Sequence, residues 1–257
     1  MAKIVSIFNQ KGGVGKTTTN INLSASLVAA GKNVLIVDID PQGNSTSGLG
    51  IDKDNIEKSI YDLLVEGEDA RDIVYETSFE GLKIIPSTME LAGAEIELAL
   101  KENREYCLEK AIESIRGDYD YIFIDCPPSL GILTINALKA SDSVMIPIQC
   151  EYYALEGVSQ LMNTINLVKK GLNPSLQIEG VVLSMFDGRT NLSIQVVEEV
   201  KKYFGNKVYR TMIPRNVRLA EAPSYGVPVI AYDEKSKGAI AYNELAEEFL
   251  ENIEEEY

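Results

Sequence analysis

Short apolar runs interleaved with helix-length amphipathic stretches constrain this chain more than any other feature. The runs are 3–9 (KIVSIFN), 33–38 (NVLIVD), 82–86 (LKIIP), 120–125 (DYIFID), 143–148 (SVMIPI), 178–186 (IEGVVLSMF) and 208–213 (VYRTMI). Each is short and nearly all apolar, as a strand covered on both faces should be. Between them lie amphipathic stretches at 16–30, 101–116, 154–170, 190–203 and 238–254. That alternation implies βαβ units, hence an α/β fold with a doubly wound, mostly parallel sheet flanked by helices. The 257 residues, 45% of them hydrophobic, are ample for one large core. No repeat or Pro/Gly-rich linker divides residues 1–257, so a single domain is expected. The acidic end, ENIEEEY, reads as a frayed helix end in solvent.

Composition removes several function classes. The chain has no histidine, so the commonest general base and the commonest metal ligand are both absent. Acid–base work falls to carboxylates, lysine, tyrosine or water. Its three cysteines, Cys107, Cys126 and Cys150, are scattered without metal-ligand spacing and read as free thiols in a reducing compartment. No apolar run approaches the roughly 20 residues that span a bilayer. The N-terminus lacks the pattern of a secretory signal. A cytoplasmic protein is expected.

The first strand runs into FNQKGGVGKTTTN, residues 8–20, and a helix begins at Gly15–Lys16. A glycine loop joining strand to helix is the context that turns a motif match into a phosphate site, here of the P-loop NTPase kind. The loop comprises Gly12, Gly13, Val14 and Gly15, followed by Lys16, Thr17 and Thr18 at the helix start. Its backbone N–H groups are expected to cradle phosphate oxygens, aided by the positive end of the helix. Lys16 is placed to reach the β- and γ-phosphates of ATP, and Thr17 to offer its hydroxyl to Mg²⁺. The carboxylate such a site needs on a neighbouring strand is Asp125, ending YIFID. Asp38 and Asp40, in VDIDPQGNST, flank the end of another strand with alternating side-chain directions. One would contact the loop lysine or the metal shell while the other points at the γ-phosphate. Asp40 is the candidate for orienting the attacking water. The alternative for both is a turn-forming role before Pro41.

Together these pieces resemble the ParA/Soj family of chromosome and plasmid partitioning ATPases, within the MinD/ParA class of P-loop proteins. The resemblance runs over the whole chain, through NQKGGVGKTTTNINL, VLIVDIDPQGNSTSGLG, YDYIFIDCPPSLGILTINAL, IPIQCEYYALEGVSQL and IPRNVRLAEAPSYGVPV. It implies that Lys11, which stands beside Gln10 in place of the usual first loop glycine, reaches across an ATP-dependent homodimer to the partner's nucleotide. A cation supplied in trans neutralises phosphate charge as an arginine finger does. The plainer alternative is a surface lysine near a polyphosphate. By the same resemblance Asp40 matches the catalytic aspartate of switch I and Asp125 the metal-shell aspartate of switch II. Pro214 and Asn216 match the segment that holds adenine.

The family also implies non-specific binding of double-stranded DNA and a ParB-type centromere-binding partner, with a nucleoid-associated location. A net charge of −15 opposes DNA binding by the surface at large. Residues 185–240, however, hold nine Lys and Arg against six acids, +3 where the remainder carries −18. Arg189 and Arg218 are the leading candidates for phosphate contact, with Lys201, Lys202, Lys235 and Lys237 in support. With nine residues before Gln10, no operator-reading helix-turn-helix extension is expected. The nearest rival, a MinD-like membrane-cycling ATPase, needs a basic amphipathic C-terminal helix. This chain ends LAEEFLENIEEEY, which an anionic membrane repels.

Overall fold

All seven apolar runs form strands. A computed structural model describes residues 1–151 and 157–256. Its strands are β1 (Lys3–Ile7), β2 (Val34–Asp38), β3 (Tyr75–Glu76), β4 (Leu82–Ile85), β5 (Tyr121–Asp125), β6 (Ser143–Gln149), β7 (Gln177–Phe186) and β8 (Val208–Pro214). They make one eight-stranded sheet in the order β3-β4-β2-β5-β1-β6-β7-β8. Every neighbouring pair is parallel except β3 with β4. The two-residue β3 is too short to show in a sequence pattern.

The helices are α1 (Lys16–Ala29), α2 (Asn44–Gly48), α3 (Leu91–Ala99), α4 (Cys107–Ile112), α5 (Ile132–Ala140), α6 (Val158–Gly171), α7 (Asn191–Phe204), α8 (Val217–Glu221), α9 (Val229–Tyr232) and α10 (Lys237–Glu256). Four of the five expected helical stretches hold their place, α6 from residue 158 on, since positions 154–156 of that stretch lie outside the described residues. The fifth, 101–116, does not form one helix. It begins with a 3₁₀ turn at Arg104–Tyr106 after Asn103 in the left-handed region (φ 54°), and α4 follows. The cause is Asn136 on α5, which accepts from the Leu108 amide (3.1 Å) and donates to the Arg104 carbonyl (2.8 Å), replacing helical partners at that end. Helix α5 itself, ILTINALKA, is buried along most of its length and so lacks the polar stripe that marks a surface helix.

Period-two alternation sends each strand's side chains into two cores. Ile4, Leu35, Val37, Ile122 and Ile124 pack with Leu133, Leu161 and Val196 on one face. Val5, Ile7, Ile36, Tyr121 and Phe123 pack with Ile21, Leu27, Tyr242 and Phe249 on the other. Helices therefore cover both faces, as the doubly wound reading requires. The β1–β2 connection goes to one side of β1, while the chain from β5 to β6 passes to the other. The crevice this opens lies at the carboxyl ends of β1, β2 and β5, the usual ligand position in such sheets.

Phe249 on α10 seals the second core, with its ring 5.3 Å from that of Tyr121 and 5.8 Å from that of Phe123. Phe249→Ala should lower unfolding free energy by about 3–5 kcal/mol in a urea titration read by circular dichroism. A loss below about 1 kcal/mol would contradict this packing.

Candidate active site

Three strand ends stand level. In the parallel register Ile7 of β1 and Asp38 of β2 both lie opposite Asp125 of β5, so two carboxylates sit side by side and the glycine loop leaves from the same height. Gly13 (φ 73°) and Gly15 (φ 91°) take left-handed conformations that a Cβ would strain, and Gly15 caps the amino end of α1. No side chain caps that end, which leaves its first amides for an anion.

Polar side chains from the sheet fix the loop. Ser184 on β7 donates to the Val14 carbonyl (2.7 Å). Asn9 donates to the Pro147 carbonyl (2.8 Å) and accepts from the Lys11 amide (3.0 Å). Gln10, the residue in the missing glycine's place, donates to the Thr164 hydroxyl on α6 (2.9 Å), so it ties the loop down from outside. Lys16 is buried beside Asp125, whose charged form it favours. Lys11 sits at the rim against Val14, Ile148, Gln149 and Val158, with no acidic partner among the described residues.

Asp125 accepts on one oxygen from the hydroxyls of Thr17 (2.8 Å) and Ser45 (2.7 Å). Its other oxygen, Oδ1, is buried without a hydrogen-bond partner. Burial raises the Asp125 carboxyl to about 6 and the Asp38 carboxyl to about 7, the latter helped by the charge of Asp125. An orphaned carboxylate oxygen beside a threonine hydroxyl is an all-oxygen donor set of the kind a hard divalent cation takes. Cys126 does not compete, because burial foremost, and then the Asp125 charge, push its thiol far up.

Asp38 does not face the crevice. It is fully buried, and accepts from the Thr46 amide (2.9 Å), the Thr46 hydroxyl (2.8 Å) and the Asp40 amide (3.2 Å). Its hydrogen bonds thus go to Thr46 and Asp40 of the loop it holds. Asp40 is 8% exposed, and its Oδ1 accepts from the Gln42 amide (2.9 Å). The turn-forming role is thus real, and it leaves Oδ2 without a partner among the described residues.

Beside Gly15 and Thr18 opens a cavity of about 200 Å³, walled by Met185, Ile213, Pro214, Asn216, Leu219 and Tyr242. Pro214 and Asn216, which the resemblance assigns to the adenine segment, both line it, and the Asn216 Oδ1 caps α8 by accepting from the Arg218 amide (2.9 Å). Met185, Ser184 and Tyr242 were not legible as site residues. Met185 holds a left-handed backbone (φ 52°), a conformation uncommon outside glycine.

The four arginines of the basic C-terminal third are held in ion pairs. Arg189, with a side chain 90% exposed, forms a two-pronged pair with Asp187 (2.7 and 2.9 Å). Arg218 pairs with Glu221 (2.8 Å) and Asp233 (3.3 Å), and Arg210 and Arg215 pair with Glu248, Glu251 and Glu151. Lys201, Lys202, Lys235 and Lys237 are exposed and take no acidic partner among the described residues. The four lysines, placed second by sequence, are the freer cations.

A strand-end glycine loop, a lysine and threonine at its helix start, a carboxylate on the adjacent strand and an apolar pocket beyond together define a P-loop nucleotide-binding protein. A family model described as an AAA domain matches residues 2–178. The sporulation initiation inhibitor protein Soj of Bacillus subtilis is 63% identical over 98% of this chain and 100% of its own length. The chromosome partitioning protein ParA of Myxococcus xanthus is 55% identical over 97% of this chain and 88% of its own. Among solved structures, cobyrinic acid a,c-diamide synthase of Mycobacterium smegmatis with bound ADP and magnesium superposes with a TM-score of 0.88 at 38% identity, covering 100% of this chain and 97% of that one. The cell division ATPase MinD of Pyrococcus furiosus gives 0.80 at 29%, covering 98% and 99%. The chain belongs to the ParA/Soj family of chromosome partitioning ATPases.

Asp125→Asn should stabilise the ligand-free protein at pH 7.5 by on the order of 1 kcal/mol, read as a higher melting temperature. Burial holds the folded carboxyl above the ordinary carboxylate range, so the ionised group costs stability at neutral pH and costs nothing once both states are protonated. The gain should therefore fade toward pH 4. A lower melting temperature at pH 7.5 would show that the carboxylate is a net stabiliser.

Proposed function

We propose that this partitioning ATPase binds ATP with Mg²⁺, closes as an ATP-bridged homodimer, binds double-stranded DNA without sequence preference and hydrolyses ATP to ADP and phosphate, driving chromosome or plasmid segregation with a ParB-type partner. The observation that carries the reading is the convergence of Lys16, Thr17, Asp40 and Asp125 on one strand-end crevice, with Lys11 at its rim lacking an acidic partner among the described residues.

The phosphates lie against the amides of residues 12–18, with adenine in the pocket of Met185, Pro214 and Asn216. Bound magnesium supplies charge neutralisation on the phosphate oxygens, and Thr17 and Asp125 are the residues to hold it. Lys16 balances charge on the β- and γ-phosphates. Asp40 orients water through its Oδ2 for in-line attack on the γ-phosphorus: the new P–O bond forms as the bond to the β,γ-bridging oxygen breaks, ADP leaves with that oxygen, and the water's protons go to the inorganic phosphate and to solvent. Lys11 of each protomer adds a cation at the other's nucleotide, so the dimer is stable only while the phosphate it neutralises is present.

DNA contact falls to Lys201, Lys202, Lys235 and Lys237, with Arg189 and Arg218 exchanging their carboxylates for phosphate. Exposed ion pairs are screened by water and contribute little, so that exchange costs little. Two copies of a small patch give salt-sensitive binding that ends when the dimer parts. No helix among the described residues is long and apolar enough to cross a membrane. Helix α10 carries Glu244, Glu247, Glu248, Glu251 and Glu254 along its length, which disfavours an anionic lipid surface. A cytoplasmic, nucleoid-associated location belongs to the same proposal.

Lys11→Ala should still bind ATP yet remain monomeric with ATP in light scattering, whereas the unchanged protein doubles in mass. An undiminished Lys11→Ala dimer would refute the trans lysine. Arg189→Glu should dimerise normally and lose about tenfold or more in affinity for a random DNA duplex at low salt, since it turns an attraction to phosphate into a repulsion. Equal affinity would leave the contact to the lysines alone.

A further inference from the structure

The loop that carries Asp40 is gripped by a segment outside the nucleotide site. Residues 86–88 follow β4 and lead toward α3. From there the Ser87 hydroxyl donates to the Asp40 carbonyl (2.8 Å), and the Ser87 amide donates to the Thr46 hydroxyl (2.9 Å). The Thr46 hydroxyl in turn donates to Asp38 (2.8 Å), whose other oxygen accepts from the Asp40 amide (3.2 Å). Asp38, Asp40, Thr46 and Ser87 therefore close a buried ring of hydrogen bonds around the loop's two ends. Ser87, Thr46 and Asp38 have no exposed surface.

Backbone contact reinforces the ring. Gly43 lies in the left-handed region (φ 56°), and a Cβ there would stand 2.7 Å from the Ser87 carbonyl. Only glycine lets the two segments approach so closely. The Asp40 carbonyl accepts a second bond from the Gly43 amide (2.8 Å), so both of its lone pairs are used.

The geometry points to Ser87 as a positioning residue for ATP hydrolysis, fixing the Asp40 peptide from β4 so that the Asp40 carboxylate is aimed before nucleotide arrives. The bond from Gly43 to Asp40 lies within one turn and moves with it. The bond from Ser87 ties that turn to the sheet. Ser87 makes no bond to residues 11–18, so losing its hydroxyl disturbs the aim of water and leaves the phosphate cradle as it was. The inference rests on the assignment of Asp40 as the water-orienting group.

The test is single-turnover hydrolysis of ATP with Mg²⁺, together with ATP affinity, for four variants of the full chain. Ser87→Ala should lower the hydrolysis rate by about tenfold or more while ATP affinity stays within about twofold, because a sub-ångström misplacement of a positioning group costs rate and not binding. Thr46→Val, which removes the ring's hydroxyl at constant size, should do the same, and Thr46→Ser, which keeps it, should restore the rate. This pair carries the test should Ser87→Ala fail to fold. Asp40→Ala is the control. If it abolishes hydrolysis while Ser87→Ala and Thr46→Val hydrolyse normally, the positioning role is wrong and the Asp40 assignment stands. If Asp40→Ala hydrolyses normally, the assignment itself is wrong and the role of Ser87 falls with it. A parallel loss of rate and affinity in Ser87→Ala and both Thr46 variants would mark the ring as merely structural.

Discussion

Two carboxylates stand opposite each other at the ends of adjacent parallel strands, and the site is arranged around that conflict. Asp38 and Asp125 share a register position, are buried, and have their pKa values raised, Asp38 partly by the charge of Asp125. Left unanswered, such a pair is costly. The fold answers each differently. Asp38 receives three hydrogen bonds from Thr46 and Asp40 and becomes the anchor of a loop. Asp125 receives two hydroxyls on one oxygen and none on the other. Both carboxylates are buried, but one has its oxygens satisfied by its own loop and the other keeps an oxygen with no hydrogen-bond partner beside the Thr17 hydroxyl. That asymmetry makes the strand ends a site instead of a buried salt-free defect.

The same asymmetry explains why the loops beside it are built as they are. The phosphate loop is pinned through Ser184, Asn9 and Gln10 to β7, β6 and α6 with no ligand bound. The Asp40 loop is held from β2 by Asp38 and from β4 by Ser87. Preorganised dipoles and charges of this kind do not have to rearrange during reaction, which is the main source of electrostatic catalysis. Gln10 in place of a glycine is then no defect, since it supplies one of the pins.

Much of this was legible in the sequence. Strands announce themselves as apolar runs, and the loop KGGVGKTT, the ends of YIFID and VDID, and the segment IPRNVR all fall at the crevice. Features set by contacts between distant segments were not legible. The sequence singles out Asp40 for the attacking water, but the burial of Asp38 against Thr46 and Asp125 is visible only in the structure. Ser87, Ser184 and Met185 belong to no pattern, because their roles come from sheet order. The break at residues 101–116 comes from one asparagine on α5. The basic third misled through counting: Arg210 and Arg215 meet Glu248, Glu251 and Glu151, two of them on α10 and all outside that stretch, so charge by segment overstated charge by surface.

The central claim is that this crevice hydrolyses ATP and does not merely hold it. Phosphate release from ATP, measured with and without magnesium and with sheared double-stranded DNA, tests that claim most directly. The account predicts release that requires magnesium, is slow alone and rises when DNA is added with an arginine-bearing N-terminal peptide of a ParB-type protein. Tight ATP binding with no phosphate released under any of these conditions would contradict it and leave an ATP-gated scaffold in its place.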